Sequence, residues 1–173
     1  NDDGIQALGL RALYHALKRA GHEVHVVAPV QEQSAVGHAI TFLSPLRVIE
    51  FKEDGFTGLG VTGTPADCVR LGVKELFATV DWVVAGINPG ANLGSDVYQS
   101  GTVAAAREAA ILGVRSVAVS QYIAPAAHID WGVTGACALN VLKRLFRLPL
   151  AAGFFWNVNL PSPLTDEPWP ETH

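Results

Sequence analysis

DWVVAGINPGANLGSDVYQSGTVAAAREAAIL, residues 81–112, contains a complete strand-to-helix unit. Asp81 to Asn88 runs apolar, as a parallel strand buried on both faces does, and ends on a polar residue. The glycine-rich loop Pro89-Gly90-Ala91-Asn92-Leu93-Gly94 follows. Ser100-Gly101-Thr102 then leads into an alanine-rich helix from Val103 to Leu112, which stops at Gly113. Hydroxyls and free backbone N–H groups at a helix N-terminus form an anion site, and the helix dipole favours phosphate there. Ser100 would also serve as a plain N-cap.

The same unit recurs on both sides. Upstream, apolar spacing predicts a helix from Ile5 to Ala20, ended by Gly21. His22 to Pro29 (HEVHVVAP) reads as a buried strand, and Gln31 to Gly37 (QEQSAVG) as the polar loop at its carboxyl end, the edge where open α/β sheets place ligands. Ile40 to Phe51 and Phe56 to Val61 are two β segments around Glu53-Asp54-Gly55, a hairpin extension. Thr64-Pro65-Ala66-Asp67 is an N-cap, an N1 proline and a capping acid opening a helix to about Ala78, so Asp67 is structural. Downstream come a strand from Arg115 to Tyr122, a helix from Trp131 to Arg147 and a strand from Phe154 to Leu160. The repeated order predicts an α/β fold: a three-layer, Rossmann-like, mainly parallel sheet with helices on both faces, plus the hairpin.

A chain of 173 residues with 49% hydrophobic content supports one domain, over residues 1–161. The tail from Pro161, with four prolines in residues 161–170, is non-regular, and residues 162–173 read as the start of a truncated C-terminal arm. The net charge of −4 without basic runs argues against a nucleic-acid polymer or an anionic membrane as partner. No apolar run approaches the roughly 18 residues of a membrane span, and no signal peptide opens the chain, so the expected location is cytoplasmic. Cys68 and Cys137 fall in helical segments and read as buried free thiols. With no methionine and a start inside a turn, a first strand is expected upstream.

Asn1-Asp2-Asp3-Gly4 carries the densest chemistry. Neighbouring strand residues point to opposite faces, so adjacent aspartates converge only where a strand has ended and the chain turns; Gly4 permits that turn. Either aspartate could instead cap the following helix. Three loops after three buried strands would bring Asp2 and Asp3, Ser34, and Asn88 and Asn92 to one sheet edge. Such an all-oxygen set suits Mg²⁺ or Mn²⁺ better than Zn²⁺, with Ser100-Gly101-Thr102 alongside as a phosphate cradle. Phosphate-ester hydrolysis is chemistry that such a site can perform, with Asp2 or Asp3 as general base.

The motifs NDDGI (1–5), APxxEQSAVGHAIT (28–41), GTPADCV (63–69), AGINPGANLG (85–94), SGTVAAAREA (100–109) and NVNLP (157–161) together resemble the SurE family of survival-protein nucleotidases. The resemblance implies a divalent-metal-dependent phosphomonoesterase acting on nucleoside 5′- and 3′-monophosphates, and in some members on short polyphosphate. It puts the metal, one Mg²⁺ or Mn²⁺ per subunit, on Asp2, Asp3, Ser34 and Asn88. Asn92 and Ser100-Gly101-Thr102 match the phosphate side, and Asn1 and Gly37 lie within the same motifs. Family members exchange C-terminal arms as dimers or tetramers. Leu8 stands where the family usually has proline, and Gln99 where tyrosine is common.

Other features carry less. His38, after the QSAVG loop, is the histidine best placed to contact substrate or act as an acid. His15, His22 and His25 read as surface or packing residues, and His128 and His173 carry no signal. Gly58, Gly60 and Gly63 lack the context of a dinucleotide fingerprint. Trp82, Phe154, Phe155 and Trp156 read as core. A non-catalytic, Rossmann-like nucleotide-binding module is the main alternative, but adjacent carboxylates would repel a phosphate unless a cation lay between them. A glycosidase is set aside because adjacent aspartates cannot flank a glycosidic bond from two sides.

Overall fold

The computed structural model describes residues 2–125 and 127–164. Its helices are α1 (Leu8–Arg19), α2 (Pro65–Leu71), the short α3 (Asp96–Gln99), α4 (Gly101–Ile111) and α5 (Trp131–Leu145), with a π-helical turn (Gly72–Leu76) continuing α2. The strands are β1 (Val27–Pro29), β2 (Val48–Glu53), β3 (Phe56–Val61), β4 (Trp82–Pro89), β5 (Arg115–Gln121) and β6 (Trp156–Leu160). They form two three-stranded sheets, ordered β1-β3-β2 and β4-β5-β6. The second is wholly parallel, and in the first β1 and β3 are parallel while β2 and β3 form an antiparallel hairpin. The α/β class expected from the sequence is the one observed.

Helices cover both faces of the second sheet: alternate residues of β5 point opposite ways, and in β4 a register shift between Ala85 and Asn88 puts Ala85 and Ile87 on opposite faces. Ile87 of β4 and Val117 and Val119 of β5 face α1 and α5, meeting Leu13, Leu17, Ala138 and Leu142. Ala85 packs with Val69, Ala105 and Ala109 of α2 and α4, and Ala118 with Val103 and Ala106. Burying each leucine in such a cluster contributes about 1.5–3 kcal/mol. Helix α1 also presents Leu10 and Tyr14 to Val26, Ala28 and Phe56, so it spans both sheets.

Several boundaries differ from expectation. The first strand begins at Val27 rather than His22, since β1 lies at a sheet edge and pairs only with β3. Residues 40–47 are not a strand: β2 starts at Val48, and the hairpin is the body of a sheet rather than an appendage. Phe154 is 67% exposed rather than core, because β6 starts two residues later, while Trp82, Phe155 and Trp156 are half-buried. The Thr64–Asp67 capping box is present as expected, and Asp67 also accepts from Thr41 Oγ1 at 2.6 Å. His15, His22 and His25 make ring contacts with Tyr14, Phe146 and Phe77. Cys68 is buried and Cys137 partly so, both free thiols, and burial pushes the Cys68 thiol up to about 12. Among the described residues no helix is long and apolar enough to cross a membrane.

Candidate functional site

The turn before α1 does not cap it. Helix α1 starts after Ala7 with no side-chain cap, which removes the capping account of the aspartates. Gly4 takes φ +93 and reverses the chain, and Ile5 N donates to the Pro29 carbonyl at 2.8 Å. Only glycine adopts that φ without strain. The Asp2 carbonyl accepts from Gln33 N at 2.7 Å, so the turn lies against the 31–37 loop.

Asp2 is 8% exposed. Its Oδ1 accepts from Thr102 Oγ1 at 2.5 Å, and Gly101 abuts its side chain at the start of α4. A carboxylate there is favoured by the positive end of the helix dipole. The Asp3 carboxyl is pushed up to about 6: burial is the largest cause, Asp2 the next, and Glu32 adds to it against the pull of the amino terminus. Ser34, on the exposed loop, gives its hydroxyl hydrogen to Glu32 Oε1 at 2.5 Å, leaving its oxygen lone pairs to offer.

On β4, Asn88 Nδ2 donates to the Gly90 carbonyl at 2.7 Å, so Oδ1 is the end able to ligate a cation. The preceding residue, Ile87, places its carbonyl 2.0 Å from where a Cβ of Gly9 would stand. This brings the end of β4 against the first turn of α1. Among the described residues no three His, Cys, Asp or Glu side chains converge as a metal site. Asp2 and Asp3 offer carboxylate oxygens and Ser34 and Asn88 neutral ones, donors of the kind a hard cation takes.

The remaining site residues have structural partners. Ser100 Oγ accepts from Val103 N at 3.1 Å, an N-cap. The Thr102 hydroxyl is committed to Asp2, which leaves backbone N–H as the donor type at the start of α4. Asn92 is 6% exposed, and its Nδ2 donates to Ser120 Oγ at 2.7 Å. Gly37 N donates to the Gln99 carbonyl at 2.9 Å. His38 Nε2 lies 2.8 Å from Glu108 Oε2. Asn1 lies outside the described residues.

Sequence reasoning missed the supports of these residues. Asn159 Oδ1 accepts from Asn92 N at 2.8 Å, and Asn157 Nδ2 donates to the Asn92 carbonyl at 2.9 Å. The alternating asparagines of NVNLP were the available signal, since polar side chains two apart on a buried strand share one face.

The chain matches the family model "Survival protein SurE" over residues 1–172. It is 67% identical over 121 residues to the 5′-nucleotidase SurE of Maridesulfovibrio salexigens, covering 69% of this chain and 48% of that protein. To the 5′-nucleotidase SurE of Nitratidesulfovibrio vulgaris it is 56% identical over 164 residues, 94% of this chain and 60% of that one. The crystal structure of the SurE protein from Aquifex aeolicus superposes with a TM-score of 0.80 at 38% identity, covering 93% of this chain and 64% of that one. This chain thus spans about half to three-fifths of the length of those curated relatives.

Proposed function

This chain belongs to the SurE family, and on that premise we propose that it is a 5′-nucleotidase: a divalent-metal-dependent phosphomonoesterase that converts nucleoside 5′-monophosphates to nucleoside and phosphate. In this reading 3′-monophosphates and short polyphosphate are further substrates, the protein is cytoplasmic, and its full-length form is a homodimer or homotetramer. Neither a nucleic-acid polymer nor a membrane is a partner. The expected domain is residues 1–161 completed by an upstream strand, with residues 162–173 opening an arm; residues 165–173 of that arm lie outside the described residues.

The observation that carries the reading is the aspartate pair, with Asp2 pinned by Thr102 and Asp3 pushed up to about 6 beside it. Asp2, Asp3, Ser34 and Asn88 would hold one Mg²⁺ or Mn²⁺. That cation supplies Lewis acidity to a phosphoryl oxygen. The chain does the rest. Asp2 is fixed in place by Thr102 and Gly101. Asp2 or Asp3 would take the proton from an attacking water as general base. Backbone N–H groups at the start of α4 would stabilise the charge that develops on the transferred phosphoryl group.

Phosphate release from adenosine 5′-monophosphate should require Mg²⁺ or Mn²⁺, stop with chelator, and fall at least about 100-fold in Asp3→Asn. Full activity in Asp3→Asn would remove that residue from the mechanism. Calorimetry showing metal-independent binding of an intact nucleotide, without turnover, would favour the binding module instead.

A further inference from the structure

Glu108 is 2% exposed and lies outside the proposed ligand set, yet both its oxygens are engaged. Oε1 accepts from Arg70 Nη1 on α2 at 2.8 Å, and Oε2 lies 2.8 Å from His38 Nε2. The other ring nitrogen of His38, Nδ1, lies 3.4 Å from Arg107 Nη1. Arg107 in turn donates from Nη2 to the Val97 carbonyl of α3 at 2.8 Å. Guanidinium groups only donate, so Nδ1 is the acceptor and Nε2 carries the hydrogen towards Glu108. Both ring nitrogens of His38 therefore have protein partners.

The connected set joins α2, α4, the 31–38 loop and α3, and His38 is its link to the loop. Four residues before His38 comes Ser34, and Gly37 N donates to the Gln99 carbonyl at the end of α3. Buried ionic sets return in attraction about what they lose in desolvation, so what such a set contributes is fixed geometry. We infer that Glu108 is a positioning residue: through His38 it holds the 34–38 segment, and Ser34 with it, against α3 and α4.

Amide exchange in the whole protein, without metal, tests this directly. Glu108→Gln and His38→Ala should each speed exchange at Gly37 at least about tenfold. The double variant should be no faster than His38→Ala alone, because Glu108 acts through His38. A second readout rests on the metal reading above: titration with Mn²⁺ alone should show about 10–100-fold weaker binding in each variant, the range for residues that orient ligands. Unchanged exchange at Gly37 in both single variants overturns the inference, as do additive effects in the double variant. A lower melting temperature with Gly37 exchange and Mn²⁺ affinity unchanged would mean a purely structural role, and overturns it too. A wild-type protein that binds no Mn²⁺ overturns the metal reading, while the exchange result still judges the positioning role. Should Glu108→Gln fail to fold, Arg70→Met, on a half-exposed side chain, takes its place in the cycle.

Discussion

Asp3 titrates in the opposite sense from most carboxylates in folded proteins. Its carboxyl is raised from the ordinary 3.8 to about 6, by burial first and Asp2 second. The native state therefore holds this proton more tightly than the unfolded chain does. The stability it contributes is fully present below pH 3.8 and is lost as pH rises through about 6. Screening at a half-exposed group reduces the effect to about 1 kcal/mol, or roughly 2–4 °C in a domain of this size. Without metal, Asp3→Asn should flatten the melting temperature between pH 5 and pH 7, as read by calorimetry. Mn²⁺ should stabilise the wild type more at pH 7 than at pH 5, because only the ionised carboxylate pair attracts it. Equal stabilisation at both values would contradict the assignment of Asp3 as a ligand.

Between elements, the site depends on two close fits. β6 turns Asn157 and Asn159 towards the loop after β4; with Oδ1 accepting from Asn92 N and Nδ2 donating to its carbonyl, Asn159 pairs with that backbone much as a neighbouring strand would. The first turn of α1 meets the end of β4 where Gly9 leaves no room for a side chain: a Cβ would lie 2.0 Å from the Ile87 carbonyl and 2.8 Å from Trp131. Gly9→Ala should therefore push α1 off β4, costing roughly 1–3 kcal/mol or more in denaturant unfolding. Activity should fall with stability, because the turn bearing Asp2 and Asp3 and the strand end bearing Asn88 meet across this contact.

For the molecule as a whole, the gap between the two sheets is the feature that local structure leaves open. β1 and β4 are both edge strands, and a cleft of about 770 Å³ runs between them, lined by Val24–Val27, Trp82–Val84, Leu13 and Leu17 among others. Its lining mixes apolar side chains with His22, Glu23, His25, Asp81 and Arg115, and it borders none of the proposed ligands. Unpaired strand edges on the two sides of a cleft are places where a further strand can pair. The Asp2 carbonyl bonds to Gln33 N just past the end of β1. Extending the chain before Asn1 with an apolar β segment should raise the melting temperature by several degrees, since it buries further apolar surface. Amide exchange along Val24–Val27 and Trp82–Val84 should slow with it; no new protection there would rule out the pairing.

Local order was legible in the sequence wherever it followed from side-chain period and turn chemistry: the 3.6-residue spacing of Leu10, Leu13 and Leu17, the Thr64–Asp67 capping box, the apolar run of β4 and the positive-φ turn at Gly4. The α/β class followed from their order, and the motifs pointed to the family. What the tertiary structure alone decided was which polar groups are spent on each other. Thr102 read as part of a phosphate cradle, and its hydroxyl holds Asp2; His38 read as a substrate-side residue, and its ring lies between Glu108 and Arg107; Phe154 read as core, but it is exposed. The sheet edges, too, could not be read locally, because strand pairing is set by contacts between segments far apart in the chain. A residue's type and spacing determine what it can offer, whereas its partners, brought from as far as Asp2 to Thr102, determine what it has left to give.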